Sequence, residues 1–433
     1  MLFNFKQFKI SHYAERLKAD ELEDLEILTK IFPFKVSRYV LDELIDWDNR
    51  HIDPIYRLVF PQRAMLKSKH WQSITSARNR EEQRIAVQTI RRELNPHPDG
   101  QKSNIPRIGN RRFGGLQHKY KETVLFFPAQ GQSCHSFCTY CFRWAQFVSL
   151  EDEHKFKSKD HSDLFDYLSE HEEVSDILFS GGDPMFMTNE QLSSYLDIIL
   201  TPELDHVTNI RIGTKALSFY PQRFIGVKHD PLFRKIDNLI KNGKHIALMA
   251  HFSHPRELKT EKVVQAISRL RNAGVEIRTQ APLIRGINNS ASIWRKMWNK
   301  SVRLGMIPYY MFVERDTGAH HYFSVPLTEA YTIFTDAYSK VSGLAKTVRG
   351  PSMSADPGKV LIDGIIDISG EKKFVLKFLQ ARNPKLVNKT FLAKYDAQAT
   401  WFNELELDSQ TFSFSDELSN SYEENLLPIL KNQ

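Results

Sequence analysis

The chain has 433 residues, 41% of them hydrophobic, so it can bury a large core in one domain with extensions or in two or three domains. Its net charge of +7 is spread along the sequence without a dense Lys/Arg run, which argues against nucleic-acid binding. No window approaches the roughly 18 apolar residues of a membrane span, and the charged N-terminus lacks an apolar signal segment. We therefore expect a cytoplasmic protein without a membrane partner.

Residues 1–115 are predicted to form a mostly helical N-terminal region that ends in a polar connector. From about residue 123, short β-rich runs alternate with amphipathic helical segments. The predicted strands are 123–129, 176–183, 209–215, 245–252, 276–283 and 308–314. Six such strand–helix units predict an α/β fold, with a parallel sheet that curls into a partial (β/α)6 TIM-like barrel over residues 116–345.

Residues 346–433 are predicted to form a C-terminal extension. It contains a hairpin that turns at Ser369 and Gly370, and a polar, acidic tail from Thr411 that we expect to be mobile.

The unusual polar residues follow the predicted strands. In barrels of this kind the chemistry gathers at the C-terminal ends of the strands. Three cysteines follow the first strand, and the residues at the ends of the next five strands are Gly181–Gly182–Asp183, Lys215, His251, Gln280 and Arg315.

Cys134, Cys138 and Cys141 are the only cysteines in the sequence, and all fall within eight residues. Three thiolates with this spacing can bind a [4Fe–4S] cluster from one loop and leave one iron open. This arrangement is the signature of radical S-adenosylmethionine (SAM) enzymes, in which the open iron binds SAM and one electron cleaves it to a 5′-deoxyadenosyl radical. A zinc site completed by His135, or three structural thiols, explains the spacing less well.

The chain resembles the lysine 2,3-aminomutase family of radical SAM proteins. The matching stretches are GLQHKYKETVLFF, the cysteine loop, ILFSGGDP, IRIGTK, AHFSHP, TQAPLIRGIN and PYYMFVE. The resemblance implies an isomerase that moves an amino group within an amino acid and pairs the cluster and SAM with pyridoxal phosphate (PLP). It also implies a small-molecule substrate, an electron donor such as flavodoxin or ferredoxin, and a homo-oligomer.

Residue roles follow from the same resemblance. Arg143 matches an arginine that grips the substrate carboxylate, although it could instead form a structural ion pair. The cysteines match the cluster ligands. The positions that the family uses around SAM are Gly181, Gly182, Asp183, Lys215, His251 and Gln280. The alternatives are a tight turn for the glycines and Asp183, a solvated charge for Lys215, a core histidine for His251, and backbone satisfaction at the rim for Gln280.

The PLP site departs from the family pattern. Lys119, Tyr120 and Thr123 stand where the family has an Arg-Tyr pair and a further arginine, so the phosphate clamp is weaker, although Tyr120 could still stack on the pyridine ring. Lys359 lies three residues beyond the expected PLP lysine, and Asp356 aligns with that position. Lys359 could form the Schiff base from a shifted loop, or could be a surface lysine that opens the next strand.

The substrate pocket departs as well. Arg315 and Arg349 match two aspartates that hold the distant ammonium of lysine in the family. This charge reversal predicts an amino acid with an anionic side chain, not L-lysine, unless Glu314 and Asp316 neutralise Arg315. Two alternatives remain open: a PLP-independent radical SAM enzyme that modifies another small molecule or a peptide, and a non-catalytic iron–sulfur sensor.

Overall fold

The N-terminal region folds as a helical layer. In the computed structural model, the described residues are 1–96, 103–148, 156–409 and 411, so most of the predicted polar tail lies outside them. The first elements are β1 (Leu2–Asn4), α1 (Phe5–Lys9), α2 (Ala19–Ile31), β2 (Lys35–Ser37), α3 (Pro54–Val59), α4 (Ser68–Thr75), α5 (Arg80–Glu93), β3 (Arg107–Ile108) and β4 (Arg111–Arg112).

A large mixed sheet follows, and its strands lie side by side in chain order. They are β5 (Leu116–Tyr120), β6 (Thr123–Phe126), β7 (Asp176–Phe179), β8 (Asn209–Thr214), β9 (His245–His251), β10 (Glu276–Leu283), β11 (Ile307–Val313), β12 (Arg349–Ser354), β13 (Gly358–Ile368), β14 (Glu371–Ala381) and β15 (Thr390–Lys394). From β6 to β12 neighbouring strands are parallel, whereas the pairs at both edges are antiparallel. The six predicted strands and their parallel order are therefore present.

Helices connect the parallel strands, as the sequence period predicts. They are α6 (Ser162–Ser169), α7 (Asn189–Ile198), α8 (Ala216–Phe219), α9 (Asp230–Lys241), α10 (Glu261–Asn272), α11 (Ala291–Arg303), α12 (His320–Phe323) and α13 (Leu327–Tyr338). In α9, Leu232, Ile236 and Leu239 are buried because this spacing places them on one face. No helix in the described ranges is both long and apolar enough to cross a bilayer.

The two faces of the parallel strands differ in chemistry. In β8, Ile210, Ile212 and Thr214 are buried, while the alternate residues are half-buried. One of these, Arg211, forms an ion pair with Asp176 of the neighbouring strand at 2.6 Å. An apolar face therefore packs under the helices, and the opposite face carries charged groups.

The sheet curls until its first strand approaches the strand next to its far edge. Strand β5 contacts β14, and the Lys119 ammonium donates to the Ala355 carbonyl at 2.5 Å. The ladder nevertheless has two free ends and does not close. The partial TIM-like barrel thus stays a prediction, while the mixed α/β fold with one large sheet is observed.

The C-terminal hairpin is formed by β13 and β14 and turns at Ser369 and Gly370, with φ of 55° and 88°. The sheet runs across the predicted boundary at residue 345. The division into residues 1–115, 116–345 and 346–433 stays a prediction.

Candidate functional site

The cysteine loop follows β6 and is held by the N-terminal region. The Phe137 N–H donates to the Lys35 carbonyl and the Thr139 N–H to the Leu58 carbonyl, both at 2.9 Å. Because these bonds involve backbone groups on both sides, the N-terminal layer fixes the path of residues 134–141.

All three cysteines are free and partly exposed. Burial raises the pKa of Cys138 to about 12 and that of Cys141 to about 11. It also raises the pKa of Cys134, with a further contribution from the other two thiols, so the three sulfurs lie near one another. A cluster that binds them as thiolates would relieve this cost.

The alternative zinc site has a less suitable fourth ligand. His135 stacks on the Tyr220 ring at 4.6 Å, and burial lowers the pKa of His135 to about 3. Within the described ranges, no group of three His, Cys, Asp or Glu side chains is set to hold one metal ion. The fit to an iron–sulfur cluster rests on the donor set of three uncrosslinked thiols on one loop.

Gly181 and Gly182 lie against the cysteine loop. A Cβ on Gly182 would lie 2.6 Å from the Ser133 backbone, and one on Gly181, where φ is +135°, would lie 2.3 Å from the Gln132 amide. The space that a side chain would fill is therefore taken by the residues just before Cys134. No donor in the described part of the chain bonds the carbonyl oxygens of either glycine, which leaves these oxygens able to accept from a ligand ammonium.

Asp183 joins two strand-end loops. Its buried carboxylate accepts from the Thr214 hydroxyl at 2.6 Å, the Met185 N–H at 2.9 Å and the Lys215 N–H at 3.0 Å. Burial raises the pKa of Asp183 to about 6 despite these bonds. The Asp183 side chain therefore stabilises the packing of these two loops, in addition to any role toward SAM.

His251 and Gln280 lie side by side at the ends of β9 and β10, where the strand register pairs them. The Gln280 amide nitrogen lies 2.8 Å from His251 Nε2. Burial lowers the pKa of His251 to about 3, and the nearby Lys215 and Arg143 add to the shift. The imidazole is therefore neutral, and Nε2 accepts from the amide.

Lys215 is not a solvated charge. Its ammonium lies 2.7 Å from the carboxylate of Glu257, whose side chain is fully buried. Glu257 was not among the site residues predicted from the sequence. The sequence signal that could have indicated Glu257 is a helix-capping pattern, because Glu257 is the third residue of a helical turn that follows the cap residue His254.

Four cations share a half-buried region between the cysteine loop and the C-terminal hairpin: Lys119, Arg143, Arg315 and Lys359. Burial lowers the pKa of Lys119 to about 7, that of Lys359 to about 7 and that of Arg143 to about 10. Arg315 lowers the pKa of both Lys119 and Arg143 further, and Lys119 lowers that of Lys359, so their fields overlap. None of the four forms an ion pair with a described residue.

All four cations lie beside aromatic rings, and the two guanidiniums among them are Arg143 and Arg315. The Arg143 guanidinium lies 4.5 Å from the Phe127 ring centre, and its buried Nη1 has no partner among the described residues. Arg315 lies between the rings of Phe142 and Trp401, at 5.7 and 5.9 Å. Ring contacts leave the N–H groups of a guanidinium able to bind an anion.

Lys359 opens β13, as one alternative predicts, but it is not a surface lysine. Its ammonium donates to the Gln380 amide oxygen at 3.0 Å and lies 4.3 Å from the Tyr310 ring centre. Asp356, at the family's lysine position, is exposed and pairs with Arg382 at 3.0 Å.

Tyr120 follows Lys119 on β5, and the Lys119 ammonium lies 5.6 Å from its ring centre. Burial raises the pKa of Tyr120. An uncharged phenol ring beside the cations is compatible with stacking on a pyridine ring.

Arg349 lies on a different element from Arg315 and borders the region of the four cations, because it lowers the pKa of Lys359. It is exposed at the start of β12 and packs 5.0 and 5.2 Å from the Tyr309 and Tyr310 ring centres. The Glu314 carboxylate bonds His320 Nδ1 at 2.7 Å and not Arg315. Burial lowers the pKa of the Arg315 guanidinium, although Asp316 does favour its charged form.

Three curated proteins that are similar to this chain bear the names of 2,3-aminomutases. A protein from Aquifex aeolicus that bears the name of L-lysine 2,3-aminomutase is 28% identical over 394 residues, covering 90% of this chain and 92% of its own. Glutamate 2,3-aminomutase from Clostridioides difficile is 29% identical over 234 residues, 54% of this chain and 51% of its own. L-lysine 2,3-aminomutase from Clostridium subterminale is 29% identical over 230 residues, 53% of this chain and 51% of its own. The matches to these two clostridial proteins span about half of their length.

Comparison with solved structures gives a weaker likeness. The radical SAM methyltransferase TsrM from Kitasatospora setae aligns with a TM-score of 0.31 and 11% identity over 48% of this chain and 39% of its own. This score is too low to carry an argument. No protein-family profile matches the chain.

Proposed function

We infer the function of this chain from its place as a divergent member of the lysine 2,3-aminomutase family. We propose a radical SAM isomerase that moves an amino group between neighbouring carbons of an amino acid with an anionic side chain. Cys134, Cys138 and Cys141 would hold the [4Fe–4S] cluster. When bound, the cluster and SAM supply a hydrogen-abstracting radical, and PLP holds the migrating amino group.

The unpaired cations carry the proposal for the substrate. Lys119 and Lys359 have hydrogen-bond partners, but none of the four cations has an ion-pair partner among the described residues, so anionic ligands would offset the cost of placing them together in a half-buried region. The PLP phosphate and the two carboxylates of an acidic amino acid would supply the missing charge. L-lysine would instead add a further cation to the region.

Each cation has a role suited to its surroundings. Arg143, two residues from Cys141, has a free buried Nη1 and would bind the substrate α-carboxylate in two-point fashion. Arg315 would bind the side-chain carboxylate. Lys119, with Tyr120 beside it, would contact PLP, and Lys359, with its pKa near 7, would offer an uncharged amine to the PLP aldehyde.

The strand-end groups would surround SAM. The carbonyl oxygens of Gly181 and Gly182 are able to accept from its ammonium, and the neutral His251–Gln280 pair lies at the neighbouring strand ends. A flavodoxin or ferredoxin electron donor and a homo-oligomer are proposed from the family alone.

The test is borohydride reduction of anaerobically purified, PLP-supplemented protein, followed by peptide mass mapping. We expect a pyridoxyl adduct on Lys359. Lys244 is an internal control, because it is also buried and hydrogen-bonded, to the Leu204 carbonyl at 3.0 Å, but it directly precedes β9 and is not one of the four cations. A protein that cleaves SAM but carries no adduct on Lys359 would refute the PLP role and favour a radical SAM enzyme that acts without PLP on another small molecule or a peptide.

A further inference from the structure

A buried carboxylate lies next to the cysteine loop. Glu257 accepts four hydrogen bonds: from the Lys215 ammonium at 2.7 Å, from the Ser218 hydroxyl, and from the N–H groups of Ser253 at 2.5 Å and His254 at 2.7 Å. Both carboxylate oxygens are therefore occupied. Glu257 ties the loop after β8 to the loop after β9.

The Ser253 hydroxyl extends this network to the cysteine loop. It lies 3.3 Å from the Lys215 ammonium and 3.0 Å from the hydroxyl of Tyr140, which stands between Cys138 and Cys141 in sequence. The hydrogen bonds thus run from Glu257 through Lys215 and Ser253 to Tyr140.

Lys215 has no N–H left for a ligand. An ammonium has three donors, and Lys215 directs them to Glu257, to the Ser253 hydroxyl and, at 3.4 Å, to the His251 carbonyl. Lys215 therefore acts on the site through its charge and its neighbours, and not by contact with SAM.

The network reaches a cysteine with opposite signs. The Lys215 ammonium is positive and the Glu257 carboxylate is negative, and the Ser253 hydroxyl connects Lys215 to Tyr140, which lies between Cys138 and Cys141 in the loop. Charges and hydrogen bonds around a ligating sulfur are what tune the reduction potential of an iron–sulfur cluster.

We propose that Glu257, Lys215 and Tyr140 are positioning residues that set the reduction potential of the cluster held by Cys138 and its two partner cysteines. This inference rests on the proposed function, since it requires the cluster. It assigns Lys215 to the support of the cluster and removes it from the residues that touch SAM.

The test is a dithionite titration of anaerobically reconstituted protein, followed by electron paramagnetic resonance, with iron and sulfide measured in each sample. Glu257→Gln removes a negative charge and should raise the ratio of reduced to oxidised cluster at a fixed potential by about tenfold, which equals 59 mV for a one-electron couple. Lys215→Met and Tyr140→Phe should lower the ratio. Tyr167→Phe is the matched control, because this buried hydroxyl bonds His118 far from the loop and should leave the ratio unchanged.

A general loosening of the fold would not raise the ratio of reduced to oxidised cluster in Glu257→Gln and lower it in Lys215→Met and Tyr140→Phe. Three variants that keep the cluster and shift the ratio in the same direction, or not at all, would overturn the inference. If Glu257→Gln does not fold, Tyr140→Phe, which loses one oxygen, decides it in the same way. Wild-type protein that binds no iron and sulfide would instead overturn the proposed function itself.

Discussion

Gly182→Ala should separate cluster binding from folding. The new Cβ would lie 2.6 Å from both the nitrogen and the oxygen of Ser133, whereas ordinary contact begins at 3.4 Å. Backbone atoms cannot rotate away like the end of a side chain, so one loop must move by about 0.8 Å, at a cost of about 1–3 kcal/mol as in other overpacked sites. The residue displaced directly precedes Cys134, and ligand sets tolerate errors of only about 0.5 Å.

We expect Gly182→Ala to fold but to retain much less iron and sulfide after anaerobic reconstitution. The assay is metal analysis with the visible absorbance of the cluster, next to a thermal melt of the same sample. Gly213→Ala is the matched control, since its Cβ would meet the Phe179 carbonyl at an ordinary 3.6 Å. Wild-type iron content in Gly182→Ala, or equal losses in both variants, would refute the steric reasoning.

Three further predictions concern the thiols and the cations. Cys138→Ala should abolish cluster assembly and SAM cleavage together, and full cleavage by this variant would overturn the assignment of the ligands. Burial lowers the pKa of Lys359 from 10.5 to about 7. Between these two pH values the unfolded chain binds more protons than the folded protein, so the folding stability must rise with pH. Lys359→Met should raise the melting temperature at pH 7 and flatten this rise, and an unchanged slope of melting temperature against pH would contradict the prediction. Arg315→Ala should weaken glutamate binding, measured by calorimetry, by about tenfold or more, as for loss of a hydrogen bond to a charged group. Arg349→Ala should weaken it less, because the Arg349 side chain is exposed, and equal losses of affinity would contradict the different roles of the two arginines.

The core of the fold could be predicted because buried parallel strands have continuous apolar runs. In β9, residues 246–250 are all buried and lie within the predicted strand 245–252, and the hairpin turns at Ser369 and Gly370, where φ is positive. Strands β5 and β12 were missed. The sequence LQHKY is polar and RGPSMS contains Gly and Pro, so neighbouring strands rather than their own pattern make them part of the sheet.

The candidate site could be predicted in outline, because residues that end adjacent parallel strands must lie near one another. That rule accounts for the contact between His251 and Gln280. It does not reveal partners that arise from loop packing. The pairing of Lys215 with Glu257 depends on how two loops fold back, and the position of Arg349 over the Tyr309 and Tyr310 rings depends on the register of β12 against β11.

The cysteine loop and Lys359 are positioned by different segments of the continuous sheet and its flanking layer, so these two parts of the site can change independently. The thiols are set by bonds to the N-terminal layer, whereas Lys359 is set by the short turn between β12 and β13, whose strands pair Ser354 with Lys359. A change in the length of that turn moves an amine over the Tyr310 ring without altering any bond around residues 134–141. Insertions and deletions at this one hairpin can therefore alter the proposed substrate side of the site, while the bonds that position Cys134, Cys138 and Cys141 stay the same.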